Sequence, residues 1–239
     1  MAKVHEHLEQ PWAGRIDHFG SVLSQSVEDY LKTIYLLQED TESTVSTTDL
    51  ATAMGVAPAS VTNMVKKLSN LRLVEYEAYR GARLTEGGVR IALEIIRHHR
   101  LLETYLKEVL GYSWAEMHAE AERLEHHISE EFERRIDHLL GYPTHDPHGH
   151  PIPTRDGEIA NRATTALSDI EPGSLRIIHH IADFDPDLLH HLETEGLLPG
   201  TDIKVVSHAP FKGPIIIRTK NTERTIGYEI ARHVFVADD

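Results

Sequence analysis

The chain has 239 residues, a formal charge of −14 and 18 histidines but no cysteine. That length admits one large domain or two to three small ones, and the missing thiols exclude disulfides, thiolate zinc sites and a cysteine nucleophile, so any metal centre must use nitrogen and oxygen. The acidity excludes a protein that coats nucleic acid indiscriminately, and no stretch approaches the roughly 18 apolar residues of a membrane span or resembles a signal peptide, which makes the cytoplasm the expected compartment.

Residues 1–24, with Pro11, Gly14 and Gly20, read as an arm of little fixed structure whose His5, His7 and His18 are solvated. A helix follows from Ser26, a capping residue, with Val27, Tyr30, Leu31, Ile34, Tyr35 and Leu37 as its apolar stripe. Asp29 in its first turn has a plain role there, since a carboxylate helps satisfy a helix amino terminus.

After a polar loop at Thr41 to Ser46, Thr47 to Met54 makes a short helix, Gly55 a turn, and Pro58 to Leu68 a second helix with Pro at a position where its missing amide costs nothing. This is helix-turn-helix spacing. Val61, Met64, Val65 and Leu68 point to the core, which leaves Ser60, Thr62 and Asn63 for base edges and Lys66 and Lys67 for phosphates. Leu73 to Glu77 and Ala82 to Leu84 alternate as strands around Arg80-Gly81 and make a two-stranded wing. Thr47 and Arg80 complete the candidate DNA-contacting set. From Val45 to Arg100 the balance of charge is +3 in a chain of −14, a basic island of the kind a phosphate-contacting module shows. A winged helix that makes only protein contacts is the alternative.

A long helix is expected from Val89 to Leu110, with His99 and Glu103 four apart on one face, and another from Ser113 to Leu140. On the latter, Glu122, Glu125 and His126 stand at i, i+3 and i+4, one turn beyond His118. Two carboxylates and an imidazole on one face are costly without a counter-charge, which a divalent cation supplies; a solvated acidic helix is the alternative. The same helix carries Trp114, Met117, Leu124, Ile128, Phe132, Ile136 and Leu139, more apolar surface than one small module needs, and this points to a homodimer interface. Residues 143–170 read as a rigid linker in which prolines hold His145, His148 and His150 apart and solvated. From residue 171 the composition turns to strands punctuated by Gly and Pro, with a short helix at Asp185 to Glu195, and reads as a small barrel of its own.

The segments Ser26-Val-Glu-Asp-Tyr-Leu-Lys-Thr-Ile-Tyr, Ala59-Ser-Val-Thr-Asn-Met-Val-Lys-Lys-Leu, Arg97-His-His-Arg-Leu-Leu-Glu, Glu122-Arg-Leu-Glu-His-His and His148-Gly-His-Pro-Ile-Pro resemble, in order, those of the diphtheria toxin repressor and manganese transport regulator family. The resemblance implies an α+β multidomain protein: a winged helix-turn-helix at 25–94, a helical dimerisation and metal-binding domain at 95–142, and an SH3-like barrel at 171–239. It implies a primary metal site of Asp29, Glu122, Glu125 and His126, and an ancillary site of His99, Glu103 and His118 with His180 and Asp183 from the barrel. The donor set looks like the manganese type, and Lys32, where a two-metal member has a glutamate, should keep the primary site mononuclear. The function implied is a Mn(II)- or Fe(II)-responsive repressor of metal-uptake genes that binds a double-stranded operator as a homodimer; Co, Zn and Cd should also bind in vitro. A membrane or small organic partner is not expected, nor is catalysis. The rivals are a metal-dependent hydrolase or oxygenase, for which no nucleophile or substrate pocket is identifiable, and a histidine-rich metal buffer.

Overall fold

The computed structural model describes residues 23–39, 44–160, 163–182, 186–220 and 222–237, so that nearly all of the expected arm, with His5, His7 and His18, and also Asp183 lie outside the described residues. Two compact units emerge. One comprises the described residues up to His98 with Glu125–Arg135 and Arg155–Gly157; the other comprises His99–Leu124, Ile136–Thr154 and the residues from Glu158 onward.

The first unit opens with α1 (Gln25–Glu39), whose Val27, Tyr30, Leu31 and Ile34 are buried at helical spacing. Helix α2 (Thr47–Met54) is capped by Ser46, whose hydroxyl oxygen accepts from the Asp49 amide at 3.0 Å, and it ends at Gly55, where φ of 64° suits a residue without a side chain. Helix α3 (Pro58–Asn70) begins on its proline and buries Val61, Val65 and Leu68 against Leu31, Ile34 and Leu50 in a common core. Its outer face leaves Ser60, Asn63, Lys66 and Lys67 exposed; Thr62 is half-buried and donates its hydroxyl to Pro58 O at 3.0 Å. The wing is an antiparallel pair, β1 (Val74–Glu77) and β2 (Gly81–Leu84), in register Val74 to Leu84 and Glu77 to Gly81. Gly81, at φ 103°, sits where a β-carbon would lie 2.5 Å from Val45 O. Arg80 at the wing tip is exposed and pairs with Glu77 at 3.0 Å, and Thr47 is half-buried at the start of α2.

Helix α4 (Glu86–Glu108) is the expected long helix. The expected helix from Ser113 to Leu140 is instead two, α5 (Trp114–Leu124) and α6 (Glu130–Leu139), separated by a turn at Glu125 to His127. The break has a local cause. Ser129 accepts from the Phe132 amide at 3.2 Å, and Glu130, Glu131 and Glu133 crowd the first turn of α6, both favouring a new amino terminus there. Glu122 therefore does not share a helix face with Glu125 and His126, which corrects the i, i+3, i+4 reading.

In the second unit the stretch read as a solvated linker is folded. Asp146 and His148 are buried, His145 and Pro151 pair as an antiparallel bridge, and the Asp146 amide bonds His150 O at 2.9 Å. Gly149 makes this reversal possible: it adopts φ 91°, and a β-carbon there would fall 2.0 Å from His179 O. The barrel is a six-stranded antiparallel sheet in the order β3 (Thr164–Ala166), β8 (Val234–Ala237), β4 (Leu175–Ile181), β5 (Asp202–His208), β6 (Ile215–Thr219), β7 (Thr222–Ile226). Irregular register at Ile178/His180 and at Val205/Ser207 bends it, as bulges do in small SH3-like barrels. Helices α7 (Pro186–Glu195) and α8 (Tyr228–Ala231) complete the unit. Strand β3 lies inside the stretch assigned to the linker.

Candidate metal centres

The first centre lies within the first unit. Asp29, on α1, and Glu125 and His126, in the turn before α6, each offer a donor atom within 4.8 Å of the others. His126 stands between two carboxylates: its Nε2 is 2.8 Å from Asp29 Oδ1 and its Nδ1 2.7 Å from Glu28 Oε2. Burial alone would lower its pKa, but the bonds to Asp29 and Glu28 and the charge of Glu125 outweigh that and raise it to about 9. Glu125 is fully buried, and both its oxygens accept from Lys32 Nζ, at 3.0 and 2.9 Å. Asp29 remains 39 % exposed, so the centre is open on that side.

A buried network holds the Glu125 backbone. His98 Nδ1 donates to Glu125 O at 3.1 Å while its Nε2 lies 3.4 Å from Glu133 Oε2, and Arg97 Nε donates to Glu133 Oε1 at 2.7 Å. Burial would raise the Glu133 pKa, yet the bonds from His98 and Arg97 win and hold it at about 2.

The second unit contains the other donors. Glu103 Oε1 lies 3.0 Å from His99 Nε2 and 2.9 Å from His118 Nδ1, and His99 Nδ1 is 3.8 Å from Glu122 Oε1. Although burial opposes it, the facing imidazoles hold the Glu103 carboxyl far below the usual carboxylate range. His99, His118 and Glu122 form one group of converging donors; Asp146, His148 and His150 form another. The two groups adjoin, because His148 Nδ1 is 3.8 Å from Glu103 Oε2. His150 Nδ1 and Arg100 Nε approach Asp146 Oδ2 at 3.4 and 3.7 Å. His180 is tilted against His150 with centroids 5.1 Å apart and stacks on Phe235; burial first, and then the charges of His150 and His179, push its pKa down to about 3. A neutral imidazole keeps a lone pair for a cation.

Two buried carboxylate oxygens, Glu103 Oε2 and Asp146 Oδ2, accept no hydrogen bond among the described residues. Buried oxygens without hydrogen bonds are costly, Arg100 at 3.7 Å offsetting this only in part for Asp146, and together with the adjoining imidazoles they fit a divalent cation of borderline or hard preference. Sequence reasoning did not bring Glu28 or Asp146 to these donor groups, and it read His148 and His150 as held apart and solvated, whereas they converge with Asp146. The alternation Asp146-Pro-His148-Gly-His150 was the available signal for the last three, since glycine between the histidines permits the turn that brings them together.

Comparison with known proteins gives a consistent result. Residues 22–82 match the iron dependent repressor N-terminal DNA binding domain, residues 85–154 the iron dependent repressor metal binding and dimerisation domain, and residues 165–238 the FeoA domain. The iron-dependent repressor IdeR of Mycobacterium leprae is 32% identical over 227 residues, which cover 90% of this chain and 97% of that protein. A manganese-dependent transcriptional repressor solved in complex with manganese superposes with a TM-score of 0.83 at 35% identity, covering 89% of this chain and 100% of the other. ScaR with bound Cd2+ superposes with a TM-score of 0.75 at 34% identity, covering 89% and 99%.

Proposed function

Because this chain belongs to the iron-dependent repressor family and is a metal-dependent DNA-binding transcriptional regulator, we propose that Mn(II) or Fe(II) engages Asp29, Glu125 and His126 and thereby sets its affinity for an operator. The observation that carries this reading is the 2.8 Å approach of His126 Nε2 to Asp29 Oδ1, which joins a helix of the DNA-binding domain to a turn of the metal-binding segment. When bound, a divalent cation supplies the positive charge on which these donors converge. Asp29 brings α1; Glu125 and His126 bring the turn before α6. Their joint engagement favours conformations in which those elements are held together, and α3, packed on α1 through a shared core, is held with them. In a homodimer, two α3 helices so fixed match successive major grooves.

In this assignment Asn63 and Ser60 read base edges, with Thr62 beside them, while Lys66, Lys67, Arg80 and Thr47 position the phosphate backbone. His99, Glu103, His118, Asp146, His148 and His150, with His180 behind His150, supply a second metal-binding region. The family resemblance puts Glu122 in the primary set, whereas its carboxylate faces His99 at 3.8 Å; Glu122→Ala separates these placements by which of two metal-binding steps it weakens. Exposed Phe132 and Leu139 suit a contact between copies. No helix among the described residues is long and apolar enough to cross a membrane, and the cytoplasm is the proposed site of action.

The test is operator binding by gel shift and footprinting, with Mn(II), with Fe(II) under anaerobic conditions, and with chelator. Metal-gated, sequence-specific protection is expected. Specific binding that ignores chelation refutes the proposal.

A further inference from the structure

Lys32 lies on α1 three residues after Asp29, on the same helix face, and its ammonium donates to both oxygens of Glu125 at 3.0 and 2.9 Å. The Glu125 carboxylate is fully buried and the Lys32 side chain is 12 % exposed. A buried carboxylate of this kind is very costly without an opposite charge, and the ammonium, with His126 Nε2 at 3.4 Å on the same carboxylate, offsets that cost in the metal-free protein. It also engages the carboxylate that the first centre needs. A cation that takes Glu125 meets an ammonium already seated on it, and two like charges on one carboxylate repel.

We propose that Lys32 is a resident counter-cation of the first centre: it occupies Glu125 until a divalent ion takes that carboxylate, and so raises the metal concentration at which the regulator responds. The inference rests on the reading of Asp29, Glu125 and His126 as metal ligands. Lysine suits the part, because four methylenes and a pointlike charge allow the head group to swing to solvent while the stem stays packed. An arginine, with a planar fork that pairs both carboxylate oxygens, would be a harder competitor to displace. The device stabilises the metal-free state and sets the threshold by direct competition for one residue.

The experiment compares wild type, Lys32→Met, Lys32→Gln and Lys32→Arg with Glu125→Gln, using full-length protein. Mn(II) affinity is measured by calorimetry and by the electron paramagnetic resonance of free Mn(II), and thermal midpoints are taken in chelator and in Mn(II). Lys32→Met and Lys32→Gln should bind Mn(II) about ten-fold tighter or more, the order of one charge-assisted hydrogen bond. Their midpoints should fall in chelator, so that the interval between metal-free and Mn(II)-bound midpoints widens. Lys32→Arg should restore the metal-free midpoint and bind Mn(II) no tighter than wild type. Should removal of the ammonium weaken Mn(II) binding or leave it unchanged, while Glu125→Gln abolishes it, Lys32 orients the ligand and the competition proposal is overturned. If Glu125→Gln leaves Mn(II) affinity unchanged, it is the assignment of the centre that fails. Circular dichroism confirms folding, and the methionine and glutamine variants give independent readings should one be unstable.

Discussion

His126 Nε2 and Asp29 Oδ1 lie 2.8 Å apart although their residues are separated by almost a hundred positions in the chain. Glu28 and Lys32 also reach from α1 to the turn before α6, but this contact joins two of the proposed metal ligands, so removal of Asp29 should separate metal binding from the response of DNA binding. In Asp29→Ala, Glu125 and His126 still present donors, so Mn(II) should bind, though more weakly. The bound cation then has little preference for one arrangement of α1 over another, and a ligand without differential affinity shifts no equilibrium. Operator affinity should become nearly independent of Mn(II), measured across a titration with metal occupancy followed in parallel. A wild-type metal response would remove Asp29 from the switch.

The exposed face of α3 makes a second expectation. Asn63→Ala should relax sequence choice at one or two operator positions, each good base contact being worth about 1–3 kcal/mol of discrimination. Lys67→Ala should instead weaken specific and random DNA alike and reduce the slope of log affinity against log salt by about one. Binding isotherms over a salt series on both DNAs test the pair, and the assignment fails where the two variants behave alike.

Acid stability should carry the signature of Glu133. Its carboxyl titrates near 2 in the folded protein, held there by His98 and Arg97 against the effect of burial, and in the unfolded chain near the ordinary 4.5. A depressed folded value means that the stabilisation is fully present above 4.5 and is lost as pH falls from there towards 2. Urea unfolding of the metal-free protein at a series of pH values should show that loss. Glu133→Gln should be less stable at neutral pH, since Arg97 loses a buried partner, and its stability should fall less steeply over the same window.

Gly149→Ala probes the folded stretch that carries Asp146, His148 and His150. A methyl group there meets His179 O at 2.0 Å and the residue must hold φ 91°, so the reversal must open. The second metal-binding step should weaken by an order of magnitude or more, while the step that needs Asp29, Glu125 and His126 keeps its affinity. A two-site Mn(II) titration separates the steps, and unchanged affinity at both would place the second region elsewhere.

How much of this was legible before folding depends on whether a feature is local. The helix-turn-helix was legible because its determinants are a few residues apart: the Gly55 turn, Pro58 at the start of α3, and Val61, Val65 and Leu68 at helical spacing. The donor types were legible too, since a chain with 18 histidines and no cysteine can build only nitrogen and oxygen sites. The expectation that Glu122 shares a helix face with Glu125 and His126 came from assuming an unbroken helix. Ser129 and the acids after it, the sequence's own signal for a new amino terminus, were read as the interior of one helix.

By itself, then, the sequence determined the element types of the first unit, its outward-facing polar residues on α3 and the chemistry of its possible ligands, because backbone propensity, capping and hydrophobic period act over one or two turns. Which donors meet was decided only by tertiary structure. Glu28 reaches His126, and Lys32 reaches Glu125, across 98 and 93 residues, distances over which no spacing rule holds and where core packing sets the geometry. Likewise the prolines of the supposed linker argued for separated histidines until the positive φ of Gly149 and the backbone bond from Ile181 N to His148 O folded them against β4. Local rules name the groups that can bind a cation; tertiary packing decides which of them meet.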